Sequence, residues 1–560
     1  MTCSDSRLVL STTESVCPDC LKTVPAIRYA EGDTVYLEKS CPEHGTVSTP
    51  IWRGLKSYFR WDRAPRNRSA ILNPATPVDK GCPHDCGICA DHQQQSCCVL
   101  LEVTSRCNIA CPFCFASAER EGTDVPIETI SQWLDTLMER AGGRVHIQLS
   151  GGEPTVRDDL PEIIGLVRSK GFSFVQLNTN GVRLSKEPDY VRALADAGLD
   201  CVFLQFDGVS DSVHKALRGA KLARVKEEAI AACEKARVGV VLVPTLVPGI
   251  NTDQIGAIVD YAKARMPTVR AVHFQPVSYF GRTPEPPRPE TRFTLPEVMD
   301  ALIAHEKGGI LLDDFHPGSA ENPFCSFSGR FVVEEDGRLM PDQIAQTSCC
   351  SGEADADKGH GQSCGCGVPG EDFLAPPKVE KPASGGCCSG LSEPDPHLHG
   401  SCGCGAPAKD LLVMQPAPVA SEAHNHSHSH EDCCCSAGTE TLANPANDSC
   451  CCGSDAGRET VPGADVARAR RYVADQWSNA EADESTDDPA FAAFDAVLKR
   501  RARTLGLSAM VFQDAWTLDL DRLRQCYIHV MMPDQRAVPF CAFNLTDREG
   551  RSLYRKEEGC

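Results

Sequence analysis

Between residues 98 and 276 the chain repeats one pattern. A short apolar or β-branched run gives way to a polar or glycine break, then to a longer stretch with apolar positions at helical spacing. The runs predict strands at Val99–Thr104, Arg144–Leu149, Phe174–Leu177, Cys201–Phe206, Val238–Val243 and Ala271–Gln275. The periodic stretches predict helices at Ile127–Arg140, Leu160–Ser169, Tyr190–Ala197, Ala220–Ala236 and Asp253–Ala264. Alternation of this kind builds right-handed βαβ units, hence a parallel sheet with helices outside. Six units are too few to close an eightfold barrel, so the expected fold class is α/β with a partial (βα)6 barrel. Ligands of such sheets meet the C-terminal ends of the strands, and the residues just after each run are the ones to inspect.

The flanks carry different patterns. Residues 1–95 hold paired cysteines at metal-ligand spacing, and residues 96–310 form the barrel core. Arg330–Met340 reads as a hairpin around Glu335-Asp-Gly337, within a C-terminal domain that starts at 311–345. Residues 346–460 lose the periodicity of helices and strands. From 461 to 560 the pattern is globular again, with helices expected at Asp465–Trp477 and Ala490–Leu505 and strands at Arg524–Met532 and Val538–Leu545. The C-terminal part is therefore expected as an α+β domain interrupted by a long insertion.

Composition narrows the function classes. The 560 residues carry 56 basic and 77 acidic side chains, a net charge of −21, which disfavours nucleic-acid backbone binding as the main activity. The N-terminus lacks a basic segment followed by an apolar one, and no run is long and apolar enough to span a bilayer, so a cytoplasmic location is expected. There are 32 cysteines. In a reducing compartment they are expected to bind metal rather than to form disulfides.

Just after the first barrel strand comes Cys107-Asn-Ile-Ala-Cys111-Pro-Phe-Cys114. Three thiolates at this spacing suit three corners of a [4Fe–4S] cluster, whose fourth iron is then open to a ligand. Spacing alone also allows a zinc knuckle. After the second strand comes Ser150-Gly151-Gly152-Glu153-Pro154, where two glycines permit close backbone approach and Glu153 can accept from an ammonium group.

The two loops together, in this strand order, resemble the radical S-adenosylmethionine (SAM) superfamily over about residues 96–330. The resemblance implies that Cys107, Cys111 and Cys114 bind the cluster and that SAM chelates its fourth iron. It implies that Gly151, Gly152 and Glu153 line the methionine moiety, that Phe113 lies near the adenine, and that Asn178 and Gln205 contact SAM or substrate. Relatives often have Ser at the position of Gln205. The implied chemistry is reductive cleavage of SAM to a 5′-deoxyadenosyl radical that abstracts hydrogen from an unactivated C–H bond. A low-potential electron donor of ferredoxin or flavodoxin type and a small-molecule or lipid substrate are the implied partners.

The first hundred residues add Cys17-Pro-Asp-Cys20 and Cys41-Pro-Glu-His44, the spacing of a ribbon or rubredoxin-like site for zinc or iron. Cys82, Cys86 and Cys89 repeat the C-x3-C-x2-C spacing and suit an auxiliary cluster closed by a distant cysteine such as Cys325. His84 and His92 are expected to be exposed loop residues. The whole layout resembles the tetraether lipid synthase family, which couples carbons of lipid chains, and bacterial radical SAM (seleno)proteins of the TrsS type. By that resemblance Cys526 and Cys541, read as lying on paired strands, help close a second auxiliary cluster.

Residues 349–452 depart from the lipid synthases, whereas members of the TrsS type carry extra thiol-rich sequence. Here the stretch holds 14 cysteines and 7 histidines in a 38-residue repeat, Cys349-Cys350 … Cys364-Gly-Cys366 recurring as Cys387-Cys388 … Cys402-Gly-Cys404, followed by His424–His430 and two cysteine triplets. Such a thiol-rich arm suits soft metal ions. Two classes of function follow: a radical SAM enzyme with auxiliary metal centres, or a thiol-rich metal-handling protein built on the same scaffold.

Overall fold

In the computed structural model, residues 7–62, 71, 73–141, 145–318, 320–342, 464–478 and 500–555 are described. The insertion at 346–460, with its repeat and its thiol-rich arm, lies outside them, as does Cys560. The described residues belong to a single compact unit.

The N-terminal segment forms an antiparallel sheet of four strands, β1 (Leu8–Val16), β2 (Thr23–Glu31), β3 (Thr34–Cys41) and β4 (Gly45–Arg53), in the order β1-β2-β3-β4. Its two outer turns carry Cys17–Cys20 and Cys41–His44. The six expected barrel strands are present as β5 (Cys98–Thr104), β6 (His146–Gly151), β7 (Val175–Thr179), β8 (Cys201–Gln205), β9 (Gly239–Val243) and, after the two-residue β10 (Thr245–Leu246), β11 (Val269–Pro276). All six pair in parallel, in sequence order.

Alternation along these strands sorts two faces. Val99, Leu101, Ile147, Leu149, Val175, Leu177, Val202, Leu204, Val240 and Leu242 are fully or almost fully buried in the core that the sheet shares with its helices. Helices at Ile127–Ala141, Leu160–Ser169, Pro188–Asp196, Ala223–Lys235 and Ile255–Lys263 cover that face, within a few residues of expectation. The stretch expected as one helix from Ala220 is preceded by another, Asp211–Arg218, which Gly219 stops in the left-handed region at φ +76°.

The C-terminal residues do not build a sheet of their own. β12 (His316–Pro317), β13 (Ser326–Val333) and β14 (Leu339–Pro341) form the expected hairpin region, and β15 (Thr504–Met510) lies between β13 and β11, parallel to β11. The helix expected over Ala490–Leu505 thus gives way to a strand at Thr504. At the other edge β16 (Ile528–Met531) runs parallel to β5, and β17 (Ala537–Pro539) follows antiparallel. The barrel sheet therefore gains one parallel strand on each side from beyond residue 500.

The helix Ala464–Trp477 closes the inner face of the sheet. Trp477 packs on Phe203 (ring centroids 4.7 Å) and on His273 (6.1 Å), and Gln476 Nε2 donates to the Arg270 carbonyl at 2.9 Å. The N-terminal sheet is tied to the C-terminal residues by Arg28 Nε to Asp519 (2.6 Å) and by the buried Lys39, whose Nζ donates to the Ala515 carbonyl at 2.8 Å.

Candidate active site

The loops after β5 and β6 meet through backbone contacts that only glycine allows. Gly152 N donates to Thr104 O at 2.8 Å and Glu153 N to Arg106 O at 2.8 Å. A Cβ on Gly151, which has φ +129°, would stand 2.2 Å from Thr104 O, and one on Gly152 would stand 2.2 Å from Arg106 O. The close approach sets the Gly-Gly loop against the residues that lead into Cys107.

The cysteine loop is held from three sides. Cys107 N donates to Glu119 O (2.6 Å), Cys114 and Arg282 exchange both backbone hydrogen bonds (2.9 and 3.0 Å), and Arg282 Nε donates to Cys111 O (2.9 Å). A Cβ on Gly281 would strike the Phe115 and Cys114 carbonyls at 2.5 and 2.8 Å. Burial pushes the Cys107 thiol up to about 12, and burial likewise raises Cys111. Such thiols stay protonated unless a cation takes the proton's place. Phe113 is partly buried beside the loop.

Glu153 differs from expectation. Its carboxylate is 2 % exposed and accepts from Thr155 N (3.1 Å), Thr155 Oγ1 (2.6 Å), Thr179 Oγ1 (2.7 Å) and Asn180 N (2.7 Å). The side chain assigned above to an ammonium group instead ties the β6 loop to the end of β7. Burial raises its pKa. Asn180 Nδ2 then donates to Asn108 Oδ1 at 2.7 Å, so a single network joins the cysteine loop, Glu153 and β7. Buried Lys226 donates to Asn180 O at 2.6 Å, and burial lowers its pKa to about 8.

The inner face beneath these loops is polar. Gln148 Nε2 donates to Asn178 Oδ1 at 2.6 Å, Gln176 Nε2 to the same oxygen at 3.3 Å, and Asn178 Nδ2 to Ser150 Oγ at 3.4 Å. Farther round, His273 Nδ1 and Ser508 Oγ lie 2.8 Å apart. With its amide oxygen turned toward Arg218, Gln205 accepts from that guanidinium at 3.3 Å.

Among the described residues, three or more potential ligand atoms gather within 4.8 Å at two places. One is Cys17, Cys20, Cys41 and His44, with His44 Nδ1 3.6 Å from Cys17 Sγ and 3.4 Å from Cys41 Sγ. Contact with His44 lowers the Cys41 thiol to about 6, whereas burial raises Cys17 to about 11. A tetrahedral ion with bonds of about 2 Å to its ligands requires such a gathering. The other place is Asp260, His305 and Glu306, where Lys263 Nζ already sits 2.5 Å from Glu306 and 3.6 Å from Asp260.

Cys107, Cys111 and Cys114 do not gather this tightly, nor do Cys82, Cys86 and Cys89. Each trio, with its C-x3-C-x2-C spacing, has the donor chemistry of a multi-iron cluster. Cys82, Cys86 and Cys89 line a cavity with His92, Leu523, Arg524 and Pro539. Cys325 does not face that trio as expected. The half-buried Cys325 adds to the rise that burial imposes on the thiols of half-buried Cys526 and buried Cys541, and Arg522 Nη2 donates to Cys325 Sγ at 3.4 Å. Cys541 lies in a short helix, Phe540–Phe543, and Cys526 just before β16, rather than on paired strands.

His92 is not an exposed loop residue. It is buried, donates toward Cys526 O (2.8 Å) and lies 3.2 Å from His529 Nε2. Sequence reasoning also missed Arg218, whose guanidinium grips Asp207. An Arg-Gly pair at a helix end resembles an ordinary surface C-terminus, so nothing local marks it.

Comparisons with known proteins agree with this geometry. A family model for the radical SAM superfamily matches residues 101–262, and one for the HMPTM N-terminal zinc ribbon domain matches residues 9–53. A 7,8-dihydro-6-hydroxymethylpterin dimethyltransferase of Methanocaldococcus jannaschii is 37 % identical over 353 residues, 59 % of this chain and 69 % of that protein. A PqqA peptide cyclase of Methylocella silvestris is 29 % identical over 264 residues, 44 % of this chain and 68 % of the relative. Among solved structures, Streptococcus suis SuiB bound to S-adenosylmethionine matches at 16 % identity with a TM-score of 0.32, over 38 % of this chain and 48 % of that one. The chain thus spans about half the length of that structure.

Proposed function

Because this chain belongs to the radical SAM superfamily, in the family of the archaeal dihydropterin dimethyltransferase, we propose that it functionalises a C–H bond of a polar, pterin-like heterocycle, with methyl transfer as the outcome. It is a radical SAM enzyme, and its family implies a [4Fe–4S] cluster and SAM. Cys107, Cys111 and Cys114 would hold three irons of that cluster. When bound, the cluster and SAM supply one-electron cleavage of SAM to a 5′-deoxyadenosyl radical.

The protein's own contribution is positioning and exclusion of water. The Gly151-Gly152 backbone offers a cradle for the methionine moiety. Glu153, by holding Thr155, Thr179 and Asn180, keeps the cradle, the cysteine loop and β7 in register. Phe113 is assigned to cover the adenine ring. The observation that carries the substrate class is the amide row Gln148, Gln176 and Asn178 on the inner face. These amides bond to one another, and the edge of a heterocycle can exchange for such bonds and match the polar face, which a hydrocarbon chain cannot.

Cys17, Cys20, Cys41 and His44 are assigned to a zinc ion, in keeping with their gathering and with the zinc ribbon model. Cys82, Cys86 and Cys89 are assigned to one auxiliary cluster. Cys325, Cys526 and Cys541 are assigned to another. A low-potential ferredoxin or flavodoxin would deliver the electron in the cytoplasm. The competing substrate is a long lipid chain, as in the tetraether lipid synthases, and the feature that favours it is Phe115, which is 37 % exposed.

The test is anaerobic incubation of the reconstituted enzyme with SAM, dithionite and either a 7,8-dihydropterin or an archaeal-type diether lipid. The expected result is 5′-deoxyadenosine together with a pterin heavier by one or two methyl groups. Coupling of lipid chains with an unchanged pterin would reverse the assignment. No 5′-deoxyadenosine with any substrate would favour the metal-handling reading.

A further inference from the structure

Arg218 and Asp207 form a buried ion pair whose remaining bonds run to the cysteine loop. Arg218 Nε and Nη2 donate to the two Asp207 oxygens at 2.7 and 2.6 Å, and Nη2 also donates to Thr245 Oγ1 at 2.9 Å. The other arm, Nη1, donates to Phe113 O at 3.1 Å, between Cys111 and Cys114 in the loop, and the guanidinium charge opposes the rise that burial imposes on the Cys111 thiol. Arg218 is 5 % exposed and Asp207 is fully buried. Asp207 is further fixed by Thr245 N (3.1 Å), and its backbone carbonyl by Asn251 Nδ2 (2.8 Å). The end of the Arg218 helix packs on the same loop, since a Cβ on Gly219 would lie 3.3 Å from Ala110 O.

The pair thus extends its cation to the backbone of the cysteine loop. The extension has an electrostatic consequence. A cluster becomes more negative by one charge when reduced, and a fixed cation at a ligating sulfur favours that state. A carboxylate behind the cation disfavours it. Both effects are large where water is excluded, and cluster potentials follow net charge and hydrogen bonds to the sulfurs.

We propose that Arg218 and Asp207 are a potential-setting pair for the cluster at Cys107, Cys111 and Cys114, acting in opposite directions on its reduction. The inference rests on the cysteine assignment made above. Arg218 positions and polarises the Cys111 sulfur without touching substrate. Lys226 and His214 also face Asp207, with His214 Nδ1 4.0 Å away.

The experiment uses the full-length protein, reconstituted anaerobically, as wild type, Arg218→Gln, Arg218→Lys and Asp207→Asn. Iron and sulfide are counted, and the midpoint potential is read by redox titration of the electron paramagnetic resonance signal that changes on adding SAM. Arg218→Gln is expected to lower the midpoint and Asp207→Asn to raise it, with Arg218→Lys between Arg218→Gln and wild type. Shifts of the same sign, or none, would overturn the proposal, because general loosening of the loop cannot produce opposite signs.

If Arg218→Gln fails to retain iron, Asp207→Asn decides: an unchanged or lowered midpoint overturns the proposal. Loss of iron in all three variants would make the pair structural and overturn it too. A wild-type signal that ignores SAM, or that survives in Cys107→Ala, would instead sink the cysteine assignment itself and this proposal with it.

Discussion

The rings of Phe115 and Phe540 lie 5.8 Å apart, and each is the chain neighbour of a cysteine, Cys114 in one case and Cys541 in the other. Residues more than four hundred positions apart are thus brought into contact between two thiol trios. Phe540 also packs on Phe512 (4.4 Å) and Phe280 (6.3 Å), and it is 6 % exposed, whereas Phe115 is 37 % exposed. Phe540→Ala should therefore destabilise the protein by about 3–5 kcal/mol, and Phe115→Ala by clearly less. Denaturant midpoints of the two variants measure this. Equal losses would mean that Phe540 is not the anchor of the cluster.

Gly152 has no room for a methyl group. Gly152→Ala would push Arg106 O, 2.2 Å from the new atom, and with it the entry to Cys107. SAM affinity should fall at least tenfold, read by equilibrium binding, with the metal of Cys17, Cys20, Cys41 and His44 retained. Unaltered SAM binding would show that the loop can yield.

Glu153→Ala leaves the buried donors of Thr155, Thr179 and Asn180 without their acceptor, and each orphaned group costs about 1–3 kcal/mol. Thermal stability should drop, and SAM turnover with it. Glu153→Gln retains one acceptor oxygen and should recover part of both. A Gln variant as damaged as the Ala variant would point to the charge rather than the hydrogen bonds.

At the ribbon, Cys41→Ser removes one of four gathered ligands. Metal analysis should show loss of one zinc per chain with unchanged iron. Loss of iron instead would assign the site to a rubredoxin-like ion.

Acid sensitivity follows from buried neutral histidines. Burial lowers His146 to about 3 and His214 and His273 each to about 4, from an ordinary value of 6.5. Below pH 6.5 the unfolded chain binds protons that the folded chain refuses, so stability present at neutral pH is lost as pH falls toward 4. His146 packs on Phe174 with ring centroids 4.5 Å apart and planes tilted by 37°, a neighbour that a phenyl ring also suits. His146→Phe should shrink the drop in urea midpoint between pH 7 and pH 5.5. The same drop in both proteins would remove His146 from the account.

Much of the site was legible from local spacing. Cys107, Cys111 and Cys114 sit on one loop, Gly151 and Gly152 on the next, and short apolar or β-branched runs placed six strands within a few residues. The Cys17–Cys20 and Cys41–His44 turns were also readable, because a knuckle is made by neighbours in sequence. The hydrogen bonds of Glu153 to Thr155, Thr179 and Asn180 left no local signal. A carboxylate at a strand end looks the same whether it faces a ligand or a buried threonine.

What the sequence by itself determined is therefore whatever a few consecutive residues can enforce: strand alternation, helix periodicity, and thiol spacing within a turn. The tertiary structure decided the rest. β15 and β16 joined opposite edges of the barrel sheet, Arg522 reached Cys325, and Arg218 reached the Phe113 carbonyl of the cysteine loop. Each of these depends on backbone hydrogen bonding or burial between segments far apart in the chain. Such pairings are selected by the free energy of the whole packed unit and leave no periodic trace in either partner alone.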